Sequence, residues 1–328
     1  MPILSRVSIV LLVPVVALIT LAFARGSLEP PPPAESAALN WRSLHRHGGE
    51  ARGPNGLGVE LRGLARQGSR IYAMAPVESL RSEDGGATWV EVPRAQRGWD
   101  AAFGPDGLIL IGGWDGKFSR STDGGKSWKE IKTPADGLIN AISLDGQNGF
   151  GLGRSVFLRS TDAGESWRRV KAPKVNYRDV AARGQTVVAV GGAGLVMRSV
   201  DGGETWRERW LPSKATLTSV AFADDRVIVI ATSEGTLLRS TDAGASWATI
   251  PSRARALLRS IAFSDNGEGL AVGHWGEAIR TTDGGATWQR ELSGTRLHLV
   301  DVEEDPTGGF LVSGVRETIF SVTNGGSR

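Results

Sequence analysis

A nine-residue pattern recurs along this chain at a nearly fixed interval, and that recurrence limits the fold more than any other feature. The copies read RSEDGGATW (Arg81 to Trp89), RSTDGGKSW (Arg120 to Trp128), RSTDAGESW (Arg159 to Trp167), RSVDGGETW (Arg198 to Trp206), RSTDAGASW (Arg239 to Trp247) and RTTDGGATW (Arg280 to Trp288). A worn seventh copy, SVTNGG, runs from Ser321 to Gly326, with Asn324 where the others carry aspartate. The acidic positions Asp84, Asp123, Asp162, Asp201, Asp242 and Asp283, then Asn324, are spaced by 39, 39, 39, 41, 41 and 41 residues. Self-similarity at that period is the signature of a four-stranded propeller blade.

Each unit reads as four short strands, for example LRSIAFS (Leu258 to Ser264), GLAVG (Gly269 to Gly273), EAIRTT (Glu277 to Thr282) and TWQREL (Thr287 to Leu292), punctuated by Gly, Asp and Pro. The seventh unit lacks its fourth strand because the chain stops after the glycines. NWRSLHRH (Asn40 to His47) has the Trp-x-x-Leu form of a fourth strand and no first three of its own. The expectation is an all-β, seven-bladed β-propeller over residues 40–328, closed by pairing this N-terminal strand with the C-terminal three, which leaves no open blade.

The nine-residue pattern concentrates a hydroxyl, a carboxylate and an indole, but six good copies argue for structure, since a reaction needs one asymmetric site. Glycine supplies the positive φ of a tight turn, and the Asp and Ser/Thr side chains accept the backbone N–H groups that the bend strands. Asp84, Asp123, Asp162, Asp201, Asp242 and Asp283 are therefore assigned to the turns. The arginine that opens each copy is read as a blade-to-blade ion pair or a turn cover, the alternative being an extended basic ring for a ligand.

Residues 1–24 combine Arg6, an apolar run from Val7 to Ala24 and the small-x-small triplet Ala22-Phe23-Ala24, the pattern of a signal peptide or of an uncleaved membrane anchor. Residues 25–39, with SLEPPPPAES, read as a proline-rich spacer. The chain is thus expected to be exported, periplasmic or anchored to the inner membrane and facing the periplasm. The 328 residues contain no cysteine, which excludes disulfides, thiolate chemistry and a lipidated-cysteine anchor. A formal charge of +3, from 38 Lys+Arg against 35 Asp+Glu, is too small to argue for nucleic acid. No metal or cofactor motif stands out: His45 and His47 form a His-x-His pair without an evident third ligand, and P-loop, G-x-S-x-G and H-E-x-x-H patterns are absent.

In a propeller, function belongs to what differs between blades. The Asp-bearing turns mark one face. The opposite face takes the loops after the fourth strand and between the second and third, where basic and aromatic residues collect. Aligned first strands place Arg62, Arg178 and Arg259 at one repeat position, where the other blades carry Trp99, Ile139, Thr218 and Val300. First strands line the channel, so these guanidiniums should ring its mouth and grip carboxylates, a chain terminus or a phosphate; the alternative is that each pairs with a local acid such as Asp179 or Asp100. Arg97, Arg296, His274, Trp114 and Trp275 extend the same surface.

The motif S/T-x-D-x-G-x-x-W resembles the Asp-box, or bacterial neuraminidase repeat. In the wider form seen in GGAGLVMRSVDGGETW (Gly191 to Trp206), the chain is similar to the photosystem II stability/assembly factor family over about residues 40 to 326. The resemblance implies an exported seven-bladed scaffold without hydrolase chemistry that binds a membrane protein or an assembly intermediate, through an arginine-rich patch in the photosynthetic members. A monomer is expected. The alternatives are an Asp-box glycoside hydrolase of the sialidase type, for which no Arg-Ile-Pro segment is found and Tyr72 and Tyr177 are the only tyrosines, and a carbohydrate-binding lectin that stacks sugars on Trp114 and Trp275.

Overall fold

The computed structural model describes residues 39–45, 60–76, 79–93, 97–305 and 308–324. The leader expected at 1–24 and most of the spacer at 25–39 lie outside the described residues, as does His47; the first strand begins at Leu39. The strands form seven four-stranded antiparallel sheets, six of which run in chain order from their innermost to their outermost strand. Six blades are continuous in sequence, with innermost strands at Gly63–Gln67, Asp100–Phe103, Ile139–Asp145, Tyr177–Arg183, Leu217–Phe222 and Leu258–Phe263. Blade 7 takes Leu299–Glu304, Phe310–Gly314 and Thr318–Asn324 from the C-terminal end, and Leu39–His45 as its outer strand. The pairing sets Trp41 opposite Val322 and Ser43 opposite Phe320, and the Trp41 and Phe320 rings meet edge to face at 5.8 Å. The closing strand anticipated from Asn40 to His47 is therefore where it was expected.

The core lies between blades. One apolar cluster joins Leu61, Leu64 and Ile71 of blade 1 to Leu311 and Ile319 of blade 7, and another joins Tyr72 and Met74 to Ala101, Ile109 and Ile111 of blade 2. Second strands such as Ile109–Gly112 and Gly269–Gly273 are buried along their whole length, because a neighbour covers each face. This is why they read as unbroken apolar runs rather than alternating ones. Outer strands reverse the pattern: Arg207–Trp210 is exposed throughout, and its charges discourage edge-to-edge pairing. The outer strands are also shorter than the sequence pattern suggests, that of blade 6 pairing only at Gln289 and Arg290, while Trp288 turns inward and is buried.

The Asp-box closes each turn with one set of bonds. In blade 1 the Ser82 hydroxyl donates to Asp84 Oδ1 (2.8 Å) and accepts the Gly86 N–H (2.8 Å); Asp84 accepts the Thr88 N–H (2.8 Å) and hydroxyl (2.6 Å), and Trp89 Nε1 donates to the Gly86 carbonyl (3.1 Å). The Thr88 hydroxyl and N–H, followed by the Ser82 hydroxyl, hold the Asp84 carboxyl down to about 2. The same Ser/Thr–Asp contact recurs at Asp123, Asp162, Asp201, Asp242 and Asp283. Only the indole varies: Trp247 Nε1 lacks the partner that Trp89 has. The recurring arginine reaches the next blade in several copies. Arg120 Nε donates to the Ala163 carbonyl (3.1 Å) and Arg239 Nε to that of Gly284 (3.1 Å). These bonds cover the turn of the next blade, and the anticipated ion pair across blades is made by Arg159, whose Nη1 meets Glu204 Oε1 of blade 4 at 2.5 Å.

The two small residues of the turn are not equivalent. The first is Gly or Ala, and Ala163 adopts φ 55° there; the second is always Gly, and at Gly164 (φ 81°) an added Cβ would lie 2.6 Å from Leu110 Cδ1 of the preceding blade. Backbone handedness alone constrains the first position, whereas handedness and packing both constrain the second. The expected outcome is that Ala163→Gly raises the free energy of unfolding by up to about 1 kcal/mol through relief of a left-handed alanine, while Gly164→Ala lowers it by about 2 kcal/mol. Urea denaturation of the two variants checks the opposed signs.

Candidate functional site

Five of the seven innermost strands carry an irregularity at the same place. Pairing with the second strand skips a residue between Ile139 and Ala141, Tyr177 and Asp179, Leu217 and Ser219, Leu258 and Ser260, and Leu299 and Asp301. The residues left over are Asn140, Arg178, Thr218, Arg259 and Val300. In blades 1 and 2 the corresponding residues are Arg62 and Trp99, whose N–H groups donate to Met74 O (2.7 Å) and Gly112 O (2.9 Å) just ahead of the strands. A bulge re-aims the extra side chain and sharpens the local twist. Blade 3 therefore contributes Asn140 to the ring; Ile139, aligned there by sequence pattern, falls one residue earlier, opposite Gly153, and is buried.

The residue after the bulge hooks the blades together around the channel. Asp100 accepts the N–H of Ala101 (2.8 Å) and that of Ile142 in blade 3 (2.8 Å). Asp179 accepts Val180 N–H (2.7 Å), and from blade 5 the Ser219 hydroxyl (2.7 Å) and Val220 N–H (2.9 Å). Ser219 accepts Ile261 N–H of blade 6 (3.3 Å), and Ser260 donates to Asp301 of blade 7 (2.6 Å). Asp301 then accepts Leu64 N–H of blade 1 (2.7 Å), joining the two ends of the ring. At the junction of blades 1 and 2 the hook is replaced by Gly63, where a Cβ would lie 2.6 Å from Asp100 Oδ1. Asp100 and Asp179 are thus occupied by backbone and are not the acids that neutralise the arginines.

The acid at the mouth is Glu60. Its Oε2 meets Arg62 Nη2 at 3.0 Å and its Oε1 meets Arg259 Nη1 at 2.9 Å, so one carboxylate bridges guanidiniums from blades 1 and 6. Arg178 of blade 4 is open to water, although the ring surrounds it, and it makes no ion pair among the described residues. Desolvation, then the mutual repulsion of Arg62, Arg178 and Arg259, depresses the affinity of Arg62 and Arg178 for their protons; guanidiniums remain charged regardless, so the three cations are held together at an electrostatic cost.

Aromatic residues flank this cluster on both sides. Arg62 lies over the Trp99 ring at 4.6 Å, and Trp99 meets Trp114 edge to face at 5.4 Å. Trp114, 54% exposed, borders an open cleft of about 460 Å³ lined also by Arg97, Asp115, Lys117 and Ser119. Arg97 is ion-paired with Glu91. Beside Arg259, the rings of His274 and His298 lie 4.3 Å apart and Trp275 covers His298 at 4.6 Å, with the Trp275 N–H donated to His298 Nδ1 (3.2 Å). Desolvation first, then His298 and Arg259, lowers His274 to about 4. Of the residues marked out in the sequence, Arg62, Arg178, Arg259, His274 and Trp275 share the mouth, Trp114 joins through Trp99, and Arg97 lies with Trp114 in the cleft. Arg296 is exposed on the approach to blade 7. Among the described residues no group of three His, Asp or Glu side chains is placed to hold a metal ion.

Sequence reasoning missed Glu60 and His298. Glu60 lies two residues before Arg62, ahead of the first strand and outside the repeat frame; His298 lies within the loop already marked as basic and aromatic.

The family described as Photosynthesis system II assembly factor YCF48 matches residues 174–256, a stretch that includes Arg178. Comparison with curated proteins finds no match. Among solved structures, YCF48 bound to D1 peptide superposes with a TM-score of 0.69 at 17% identity, over 90% of this chain and 99% of the other. YCF48 from Cyanidioschyzon merolae gives 0.67 at 17% identity, over 88% and 99%. A catalytically inactive virginiamycin B lyase from Staphylococcus aureus, solved with quinupristin, gives 0.70 at 12% identity, over 87% and 99%. At these identities the superpositions show the propeller fold; the likeness to photosystem II assembly factors in sequence lies in residues 174–256.

The channel acids make stability depend on pH. Burial first raises Asp179 to about 6 against its three hydrogen bonds, and burial with neighbouring carboxylates raises Asp100 and Glu303 as well. A carboxyl whose folded value is raised contributes stability fully below its unfolded value near 4, and loses that contribution as pH rises through about 6. His274, lowered to about 4, acts oppositely in the same window, so the difference between variant and parent is the informative quantity. Between pH 4 and 7 the stability of wild type relative to Asp179→Asn should fall by about 2 kcal/mol, measured by urea denaturation at each pH.

Proposed function

We propose that this chain is an exported, monomeric, non-catalytic scaffold that docks a carboxylate-bearing segment of a membrane protein, or of an intermediate in membrane-complex assembly, on the arginine mouth of its channel. The observation that carries this reading is the convergence of Arg62, Arg178 and Arg259 from three blades on one opening, with a single acid, Glu60, between two of them. A guanidinium presents paired donors matched to a carboxylate, and it is less tightly hydrated than an ammonium. Trp99, Trp114 and Trp275 offer apolar surface to the residues flanking that acid. The YCF48 likeness supports the reading, since the similar protein solved with D1 peptide is a propeller that holds a peptide. The apolar leader and proline spacer of residues 1–39 fit a body held near a membrane.

A hydrolase of the Asp-box class is disfavoured by the tyrosines. Tyr72 and Tyr177 are both about 1% exposed, and the Tyr177 hydroxyl donates to the Pro173 carbonyl at 2.9 Å. Burial raises both phenols further from ionisation, the reverse of what a nucleophile requires. The site therefore binds through charge and stacking.

Calorimetry with an N-acetylated acidic nonapeptide carrying a free C-terminus tests the reading. Arg178→Ala should weaken binding by about 30-fold, and raising the salt from about 50 to 500 mM should weaken the wild type further. Unchanged affinity in Arg178→Ala, or release of sugar from glycosides by the wild type, would sink it.

A further inference from the structure

The acid inside the arginine mouth distinguishes this site from an open cationic patch. Among the described residues Glu60 belongs to no strand of the ring and accepts no backbone N–H; its partners there are Arg62 and Arg259. The other carboxylates of the channel are committed differently. Asp100, Asp179 and Asp301 are fixed by the N–H groups of successive blades, and removing any of them strands a buried donor. Glu60 is about 28% exposed and bridges two guanidiniums that are themselves 33% and 29% exposed. Removing the charge of Glu60 therefore strands no backbone donor among the described residues, but it changes the charge of the mouth: three guanidiniums and one carboxylate leave a formal excess of two positive charges, on the side of Arg178.

We infer that Glu60 is a specificity-determining residue, a built-in carboxylate that occupies the Arg62–Arg259 half of the mouth and restricts incoming anions to the Arg178 half. The inference rests on the carboxylate-docking reading above. A ligand carrying one carboxylate reaches Arg178, and shares Arg259, without displacing Glu60. A ligand with a second negative group close to the first meets Glu60 at short range and is penalised. The His274–His298 pair reinforces the limit. Both imidazoles lie beside Arg259 and Glu60, and desolvation together with the positive charge of Arg259 lowers both, so at neutral pH they add no charge with which a second anionic group could pair. Glu60 thereby sets the number of negative groups that the mouth accepts.

The test compares wild type with Glu60→Gln, which keeps side-chain size and a hydrogen-bond acceptor while removing the charge. Two probes are titrated by calorimetry: the acidic nonapeptide with a free C-terminus, and inorganic phosphate. Glu60→Gln should bind both more tightly, by about tenfold for the peptide and by more for phosphate. Arg178→Ala in the Glu60→Gln background should remove most of the gain. Equal or weaker binding of both probes by Glu60→Gln, with the wild type still binding peptide, would overturn the inference while leaving the docking reading intact, because Glu60 would then serve to orient the arginines. Tighter phosphate binding by Glu60→Gln, with no peptide bound by either protein, would uphold the selective role and overturn peptide docking. Absence of binding by both proteins to both probes would overturn both. A thermal unfolding scan keeps the comparison fair: Glu60→Gln keeps the side chain's size and strands no backbone donor, so a midpoint within about 2 °C of wild type is expected.

Discussion

No blade of this ring can bury its own surfaces. Each sheet is one layer thick, its second strand is apolar on both faces, and the shelter for those faces comes from the sheets on either side. The dependence is circular, so it is satisfied only if the last blade meets the first. Closure is made twice, at different radii. At the rim, Leu39–His45 completes the sheet begun at Leu299. At the axis, Asp301 accepts the Leu64 N–H of blade 1. The outer clasp ties the chain ends in sequence, and the inner one ties the neighbouring blades in space. Opening either exposes apolar strand surface and unpaired backbone at once.

That circular constraint divides the molecule into a repeated face and a divergent one. On the side of the Asp-boxes the turns share one set of bonds: hydroxyl to carboxylate, carboxylate to N–H and, in five copies, indole to carbonyl. Repetition does this efficiently, since one solution serves six turns. On the opposite side the bulge frees one side chain per blade from ladder geometry, and here the seven blades diverge: Arg62, Trp99, Asn140, Arg178, Thr218, Arg259 and Val300. The scaffold needs the bulge itself but uses few of the side chains it releases: Thr218 donates to the Leu258 carbonyl of blade 6 (2.8 Å) and Val300 is buried. The next residue is constrained in the opposite sense where it is Asp100, Asp179, Ser219, Ser260 or Asp301, because its oxygen reaches the following blade.

The fold was legible because its determinants are local and repeated. The Asp-box spacing counted the blades, the incomplete seventh unit pointed to the spare strand at Asn40, and the glycine doublet located the turns. The site was only half legible. The position of Arg62, Arg178 and Arg259 could be read by aligning strands, but the alignment chose Ile139 for blade 3, since apolar periodicity carries no sign of a residue that leaves the ladder; the bulge shifted that position to Asn140. The alternative that Asp100 and Asp179 pair with the arginines fails for a related reason. An acid beside an arginine in sequence suggests an ion pair, whereas here the bulge separates the two side chains and delivers the carboxylate to the backbone of the next blade. Glu60 was invisible because it belongs to no repeat and its two partners, Arg62 and Arg259, lie close in space but far apart in sequence.

The charges of the channel follow from the same geometry. Hooking blades through carboxylates draws Asp100, Asp179 and Asp301 toward the axis, where burial and mutual repulsion make their ionisation costly. Arg259 partly offsets that cost at Asp301, and Glu60 favours the charged form of Arg62, whereas Arg178 meets desolvation and the repulsion of Arg259. The charges of throat and mouth thus balance one another in part. The presence of three arginines alone does not demand a partner. What the arrangement leaves unbalanced is the outermost layer, where Glu60 answers two guanidiniums and Arg178 faces water. The scaffold accounts for the throat and for most of the mouth; the residual charge at Arg178 is the part that an incoming carboxylate would complete.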